Sequence, residues 1–218
     1  MPEYLVKLIA KKEVARQTTA FFFDKPKGFK FIPGQFIEIH LGKNPIYSFS
    51  LASSPKEKDL MITTRMRPSE FKNKLNGLKI GNRIKIDGPF GQFTLHENKN
   101  TLAVFLAGGI GVTPFHSMIK DSLNRKITLF HSNRNKKDAP FLEELKKMED
   151  KNFKLVSVFT KENNERIDSK MLKKNIKNWR KAIFYAVGST GFVQSMVNLL
   201  SEMKIKPENI KTENFSGY

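Results

Sequence analysis

The sequence predicts two domains in series, an N-terminal antiparallel β-barrel and a C-terminal α/β domain built on a parallel sheet. Three observations predict this. Short segments rich in Phe, Ile, Val and Thr, punctuated by turn residues, run through the first hundred positions. From Leu102 onward, continuous apolar runs alternate with segments whose apolar residues recur at helical spacing. Between the two regimes lies the polar stretch His96-Glu97-Asn98-Lys99-Asn100, which divides the chain into residues 1–98 and 99–218.

In the first domain, Tyr4–Lys11, Arg16–Asp24, Gln35–Leu41, Tyr47–Ser53, Asp59–Arg65 and Arg83–Asp87 read as strands. Lys25-Pro26-Lys27-Gly28, Pro33-Gly34, Gly42-Lys43-Asn44-Pro45 and Gly81-Asn82 supply the turns, and this spacing suits a barrel or a sandwich. One helix interrupts them: Ser69 is an N-cap, and Phe71, Leu75 and Leu78 follow at helical spacing. In the second domain Leu102–Leu106 reads as a strand buried on both faces. A helix with Phe115, Met118, Ile119 and Leu123 follows, then strand Ile127–Ser132 and a helix with Phe141, Leu142, Leu145 and Met148. Strand Phe153–Thr160, a short helix near Met171, strand Ile183–Val187 and a helix from Phe192 to Met203 complete the βα series.

Composition narrows the chemistry. The chain of 218 residues has 19 Phe and no Cys, so it can build a core and has no disulfide, thiolate metal site, iron–sulfur cluster or catalytic thiol. His40, His96, His116 and His131 lack ligand spacing, so no metal is expected. The charged N-terminus is unlike a signal peptide and no apolar run would span a membrane, so a cytoplasmic protein is expected. The net charge is +18, from 39 Lys and Arg against 21 acids. Such a surface is compatible with plain solvation, nucleic acid, an acidic protein or a phosphorylated cofactor.

Local motifs choose among these. Gly108-Gly109-Ile110-Gly111-Val112-Thr113-Pro114 follows a buried strand and opens a helix. Its glycines permit close backbone approach, Thr113 can cap, Pro114 suits the first helical position, and the helix N-terminus favours a phosphate. Pro114 stands where the third glycine of the strict dinucleotide fingerprint would be. Some twenty residues on, Ser132-Asn133-Arg134 ends the next strand with no acid before Asp138, an arrangement that favours NADP(H) over NAD(H). In the barrel, Tyr47-Ser48-Phe49-Ser50 sets aromatic rings beside hydroxyls, which suits a flat ring with a polar edge.

Five segments occur in order: Pro33-Gly34-Gln35-Phe36, Phe49-Ser50-Leu51-Ala52-Ser53-Ser54-Pro55, Gly88-Pro89-Phe90-Gly91-Gln92-Phe93, the glycine turn at 108–114, and Phe184-Tyr185-Ala186-Val187-Gly188. Together they resemble the ferredoxin–NADP reductase family of flavoproteins over essentially the whole chain. The resemblance implies a Greek-key barrel binding FAD, or FMN, and a second domain for NAD(P)H. It implies that Phe49 stacks beside the isoalloxazine and Ser50 lies near the atom that accepts hydride, with Ser48 alongside. Tyr47 stands at the family's arginine position and cannot act as a forked phosphate donor. Arg65, Arg67 and Lys72 are the cations that would compensate, and FAD versus FMN stays open. Gly109, Gly111 and Thr113 would meet the nucleotide pyrophosphate, with Ser132 and Arg134 beyond it. Gly188-Ser189-Thr190 would lie under the nicotinamide ribose, with Val187 where the family often has Cys. Glu213 would be a nearby carboxylate, and Phe215 or Tyr218 in an aromatic tail would shield the flavin. Electrons would pass to or from a separate carrier, such as an acidic ferredoxin or flavodoxin. Alternatives are a reductase subunit of an oxygenase or hydrogenase assembly, or a free flavin reductase. The basic segment around Trp179 leaves nucleic-acid binding as a remote competitor.

Overall fold

A computed structural model describes residues 3–42, 45–122 and 124–215. Leu123 and Tyr218, both singled out in the sequence, lie outside the described residues.

The first half is a six-stranded antiparallel sheet. Its strands are β1 (Glu3–Ala15), β2 (Thr18–Asp24), β3 (Phe36–His40), β4 (Tyr47–Ser50), β5 (Asp59–Arg65) and β6 (Arg83–Phe90), in the order β4-β3-β6-β1-β2-β5. The edge strands β4 and β5 approach each other, with Leu51 bridging Ile62 and the Ala52 N–H donating to the Met61 carbonyl at 2.7 Å. The sheet therefore curls on itself around Val6, Leu8, Phe21, Phe23, Ile37, Ile39, Leu60 and Ile86, all fully buried. Helix α1 (Glu70–Gly77) plugs one end with Phe71 and Leu75, and Ser69 Oγ caps it by accepting from the Lys72 N–H at 3.1 Å.

The second half is a five-stranded parallel sheet. It comprises β7 (Ala103–Gly108), β8 (Ile127–Asn133), β9 (Phe153–Phe159), β10 (Ile183–Gly188) and β11 (Ile210–Asn214), in the order β11-β10-β7-β8-β9. Helices α2 (Val112–Asp121), α3 (Leu142–Lys147), α4 (Ser169–Asn175) and α5 (Thr190–Glu202) connect them. The strand order reverses between β7 and β10, so the crevice beyond their carboxyl ends is the place for a ligand.

The two halves share one apolar core. Ala20, Ala52 and Met61 from the barrel are buried with Phe105, Phe115, Met118 and Tyr185 from the α/β half. Two buried hydrogen bonds join them as well: His116 Nδ1 to the Ala52 carbonyl at 2.7 Å, and Ser117 Oγ to the Ser53 carbonyl at 2.6 Å.

Several elements differ from the sequence reading. β1 runs on to Ala15, because Lys12, Glu13 and Ala15 pair with Ala20, Thr19 and Thr18 across a tight turn at Arg16-Gln17. β4 ends at Ser50, and α3 begins only after Phe141, which takes a left-handed φ of 60°. Thr113 does not cap α2 and Pro114 is not its first residue. A single 3-10 turn over Gly109–Gly111 comes first, Gly111 takes the cap position, and Thr113 Oγ1 donates to the Ile110 carbonyl at 2.8 Å. The tail expected at 212–218 is, as far as Asn214, a fifth strand.

Gly111 is a packing glycine: a Cβ there would collide with the Val187 carbonyl of β10. Gly111→Ala should destabilise the protein by about 1–3 kcal/mol through overpacking. For a chain of this size that is a fall of roughly 2–4 °C in Tm per kcal/mol, readable by differential scanning calorimetry.

Candidate functional site

Two adjoining cavities, each of about 300 Å³, open where the barrel meets the α/β half. Ile110 and Phe215 line both, so they form the shared wall.

The barrel-side cavity is lined by all of β4 (Tyr47, Ser48, Phe49, Ser50), and by Phe36 and Thr63 from neighbouring strands. Thr113, Glu213 and Asn214 close it from the other half. Strand alternation does not simply turn both rings outward. Phe49 is buried and stacks on Phe71 with centroids 5.8 Å apart, whereas Tyr47 is 37% exposed and packs on Phe71 at 4.4 Å. Tyr47 is thus the more open ring and Phe49 the one anchored in the core. Ser50 is held in register opposite Phe36.

Two polar atoms on this wall are buried without a hydrogen-bond partner, Thr63 Oγ1 and Glu213 Oε2. An orphaned buried polar group costs free energy, so such atoms mark a wall shaped for a polar ligand edge. Burial pushes the Glu213 carboxyl up to about 7, because desolvation disfavours the carboxylate. A flat heteroaromatic ring with polar edge atoms fits this donor and acceptor set.

The second cavity sits at the switch point. Gly108 and Gly109 at the end of β7, Ser132, Asn133 and Arg134 at the end of β8, and Ser189 after β10 line it. Arg65, Arg67, Asp138, Thr160, Phe192 and Phe215 complete it. Gly108 and Gly188 lie side by side with Phe192 of α5 packed over both, leaving no room for a Cβ at either. Gly109 takes φ +57° with open space where a side chain would be, so backbone alone faces the cavity. Buried His131 bonds the Gly109 carbonyl through Nε2 at 3.1 Å, and burial lowers its pKa to about 4, so the ring stays neutral at ordinary pH. Ser189 caps α5.

The sequence-predicted residues therefore divide between the cavities. Tyr47, Ser48, Phe49, Ser50, Thr113 and Glu213 face the first, Arg65, Arg67, Gly109, Ser132, Arg134 and Ser189 the second, and Phe215 both. Three are drawn elsewhere. Gly111 packs against β10, and Gly188 serves the close approach of two strands. Lys72 is buried, with its ammonium donating to the Arg65 carbonyl at 2.8 Å, and burial lowers its pKa. Thr63 has no place in the sequence reading of the site, and Asn133 and Asp138 are named there without a role of their own. The consecutive hydroxyls Thr63-Thr64, inside an otherwise apolar strand and both fully or nearly fully buried, were the available signal for the first.

Among the described residues no cluster of three or more potential metal ligands occurs, and no helix is long and apolar enough to cross a membrane.

Residues 5–95 match the oxidoreductase FAD-binding domain family and residues 105–198 the oxidoreductase NAD-binding domain family. The chain belongs to the ferredoxin–NADP reductase-like flavoproteins. It carries an FAD-binding and an NAD-binding domain of the oxidoreductase type. It is 27% identical to flavohemoprotein A of Dictyostelium discoideum, over 94% of this chain and 58% of that protein. It is 28% identical to a flavohemoprotein of Bacillus subtilis, over 98% of this chain and 59% of that one. The chain thus spans about three fifths of the length of these curated relatives. The ferredoxin–NADP+ reductase of Plasmodium falciparum superposes with a TM-score of 0.82 over 98% of this chain and 96% of its own. At 19% identity that likeness concerns the fold.

The buried carboxyl of Glu213 has a consequence for stability. Its folded pKa is raised, so its contribution is fully present below the unfolded value near 4.5 and is lost as pH rises through about 7. Between pH 5 and pH 8 the wild-type Tm should therefore fall further than that of Glu213→Gln. Equal falls in the two proteins would refute the assignment.

Proposed function

We propose that this protein is an NAD(P)H-dependent flavin oxidoreductase that prefers NADP(H) and exchanges electrons with a separate acidic carrier of the ferredoxin or flavodoxin kind. The observation that carries the reading is the shared wall: the barrel-side cavity and the switch-point cavity meet at Ile110 and Phe215. A ring in one and a nicotinamide in the other would be neighbours, and such positioning is most of what a protein contributes to this reaction.

A bound FAD would supply the hydride-accepting ring and its ability to release electrons singly or in pairs. The chain's own residues then have definable tasks. Tyr47 and Phe215 cover the ring and exclude water. Ser50, buried at the end of β4, offers a hydroxyl to the ring's polar edge. Glu213, with a pKa near neutrality, can hold a proton at Oε2 or give it up. Gly109 lets a phosphate approach the backbone, and Arg65, Arg67 and Arg134 give the nucleotide cavity its positive charge.

The preference for NADP(H) is supported by that charge. Three arginines line the nucleotide cavity against one acid, Asp138, which is itself paired with Arg16 and Arg65. An acidic carrier is supported by the net charge of +18, since complementary fields raise encounter rates and orient docking. The absence of Cys fits a reducing, cytoplasmic setting.

The purified protein, loaded with FAD, should show a two-band flavin spectrum that bleaches anaerobically on adding one equivalent of NADPH. A protein that fails to take up FAD or FMN would sink the proposal. Arg134→Ala should lower kcat/KM for NADPH by about tenfold or more, the loss of one charge-assisted phosphate contact. The value for NADH should change little, and an equal loss with both nucleotides would remove Arg134 from 2′-phosphate recognition.

A further inference from the structure

Among the described residues Asp138 is the one acid that lines the nucleotide cavity, and two arginines approach its carboxylate. Its side chain is 2% exposed, yet it belongs to a three-residue 3-10 turn on a loop, Lys136–Asp138. Buried carboxylates on loops persist only when fully partnered. Arg16 of the β1–β2 turn partners it in fork geometry, with Nε to Oδ1 at 2.8 Å and Nη2 to Oδ2 at 3.0 Å. Asn135 Nδ2 adds a bond to Oδ2 at 2.8 Å. The Arg16 N–H also donates to the Lys137 carbonyl at 2.8 Å, so main chain and side chain dock the barrel's hairpin turn onto this loop together.

Arg65 stands in a different relation to the same carboxylate. Its Nη2 is 3.6 Å from Oδ1, an ion pair without a full hydrogen bond. It lies at the end of β5, opposite Thr18 beside that turn, and lines the nucleotide cavity together with Arg67 and Arg134. Arg16 has already taken both carboxylate oxygens. Arg65 is therefore held by attraction at one corner without its forked donors being consumed.

We propose that Asp138, saturated by Arg16, is a positioning residue that aims the Arg65 guanidinium into the nucleotide cavity so that it binds a phosphate of the nicotinamide nucleotide. The arrangement links the two halves: a loop of the α/β half orients a cation of the barrel, and a second barrel arginine keeps that loop's carboxylate from claiming it. Without Asp138 the guanidinium loses its anchor in a cluster of like charges. Without Arg16 the carboxylate can take Arg65 in fork geometry and withdraw it from the phosphate. Either change weakens the nucleotide through the same atom group. This inference rests on the proposed function in taking the switch-point cavity as the nucleotide site.

The test is calorimetric titration of the FAD-loaded protein with NADP+ and NAD+, for the wild type and for Asp138→Asn, Arg16→Gln, Arg65→Gln and the double variants D138N/R65Q and R16Q/R65Q. Asp138→Asn and Arg16→Gln should each raise the nucleotide Kd about tenfold. Flavin content and visible spectrum should be unchanged. In the Arg65→Gln background neither change should weaken binding further, a coupling that a general loss of packing would not produce. Two independent single variants keep the test available should one fold poorly. Unchanged affinity in both single variants overturns the proposal, as does a further tenfold loss on top of Arg65→Gln. A wild-type protein that takes up FAD and binds neither nucleotide overturns this inference and the nucleotide site together. Wild-type binding with unaffected single variants overturns this inference alone.

Discussion

The site depends on one constraint, the burial of α2 between the two halves. From Val112 to Ile119 every residue of this helix is buried, polar His116 and Ser117 included. Those two polar side chains meet backbone carbonyls at Ala52 and Ser53, where the chain leaves β4. Unmade, such buried bonds would cost roughly 1–3 kcal/mol each. Made, they fix the chain at the end of β4 against the helix that opens after the glycine turn. This contact helps to seat the halves in the position at which the two cavities share a wall.

Around that contact the charge is arranged unevenly. The surface is dominated by lysines, whereas the acids that matter are placed inside or at seams. Asp138 joins the barrel turn to the loop that follows β8. On another seam Glu144 approaches His116 at 3.2 Å and Lys120 at 3.4 Å, and Lys120 reaches Glu57 at 2.6 Å. The His116 contact, with Lys120 beside it, holds the Glu144 carboxyl down at about 2. Glu213 is the opposite case, a carboxyl on the cavity wall whose second oxygen has no partner and whose pKa rises. Paired acids hold the halves together, and the unpaired one faces the place where a ligand would sit.

Much of this was legible in the sequence because it depends on local periodicity. The buried runs Leu102–Leu106 and Ile183–Val187, the helical spacing from Phe192 to Met203 and the Ser69 cap each specify their element through nearest neighbours alone. β11 was not legible. Ile210-Lys211-Thr212-Glu213-Asn214 has neither a continuous apolar run nor strong strand propensity, and it forms a strand because β10 offers an open edge in register from Phe184 to Gly188. Thr113 misled for a related reason: it is a good cap residue, but the 3-10 turn before it puts the cap at Gly111 and starts the helix at Val112.

The sequence by itself determined the order of strands and helices as far as α5, the glycine turn that leaves backbone facing a cavity, and most of the residues that line the two cavities. These follow from side-chain period, glycine's freedom at positive φ and capping chemistry, all of which act within a few residues. Only the tertiary structure decided which partners those residues meet. Arg16 and Asp138 are 122 positions apart, and no local rule pairs them. Phe49 turned into the core against Phe71 while Tyr47 stayed open, and Gly111 packs closely against β10. The difference is physical: propensity is settled by neighbours in the chain, whereas burial and pairing are settled by whatever the folded chain brings alongside.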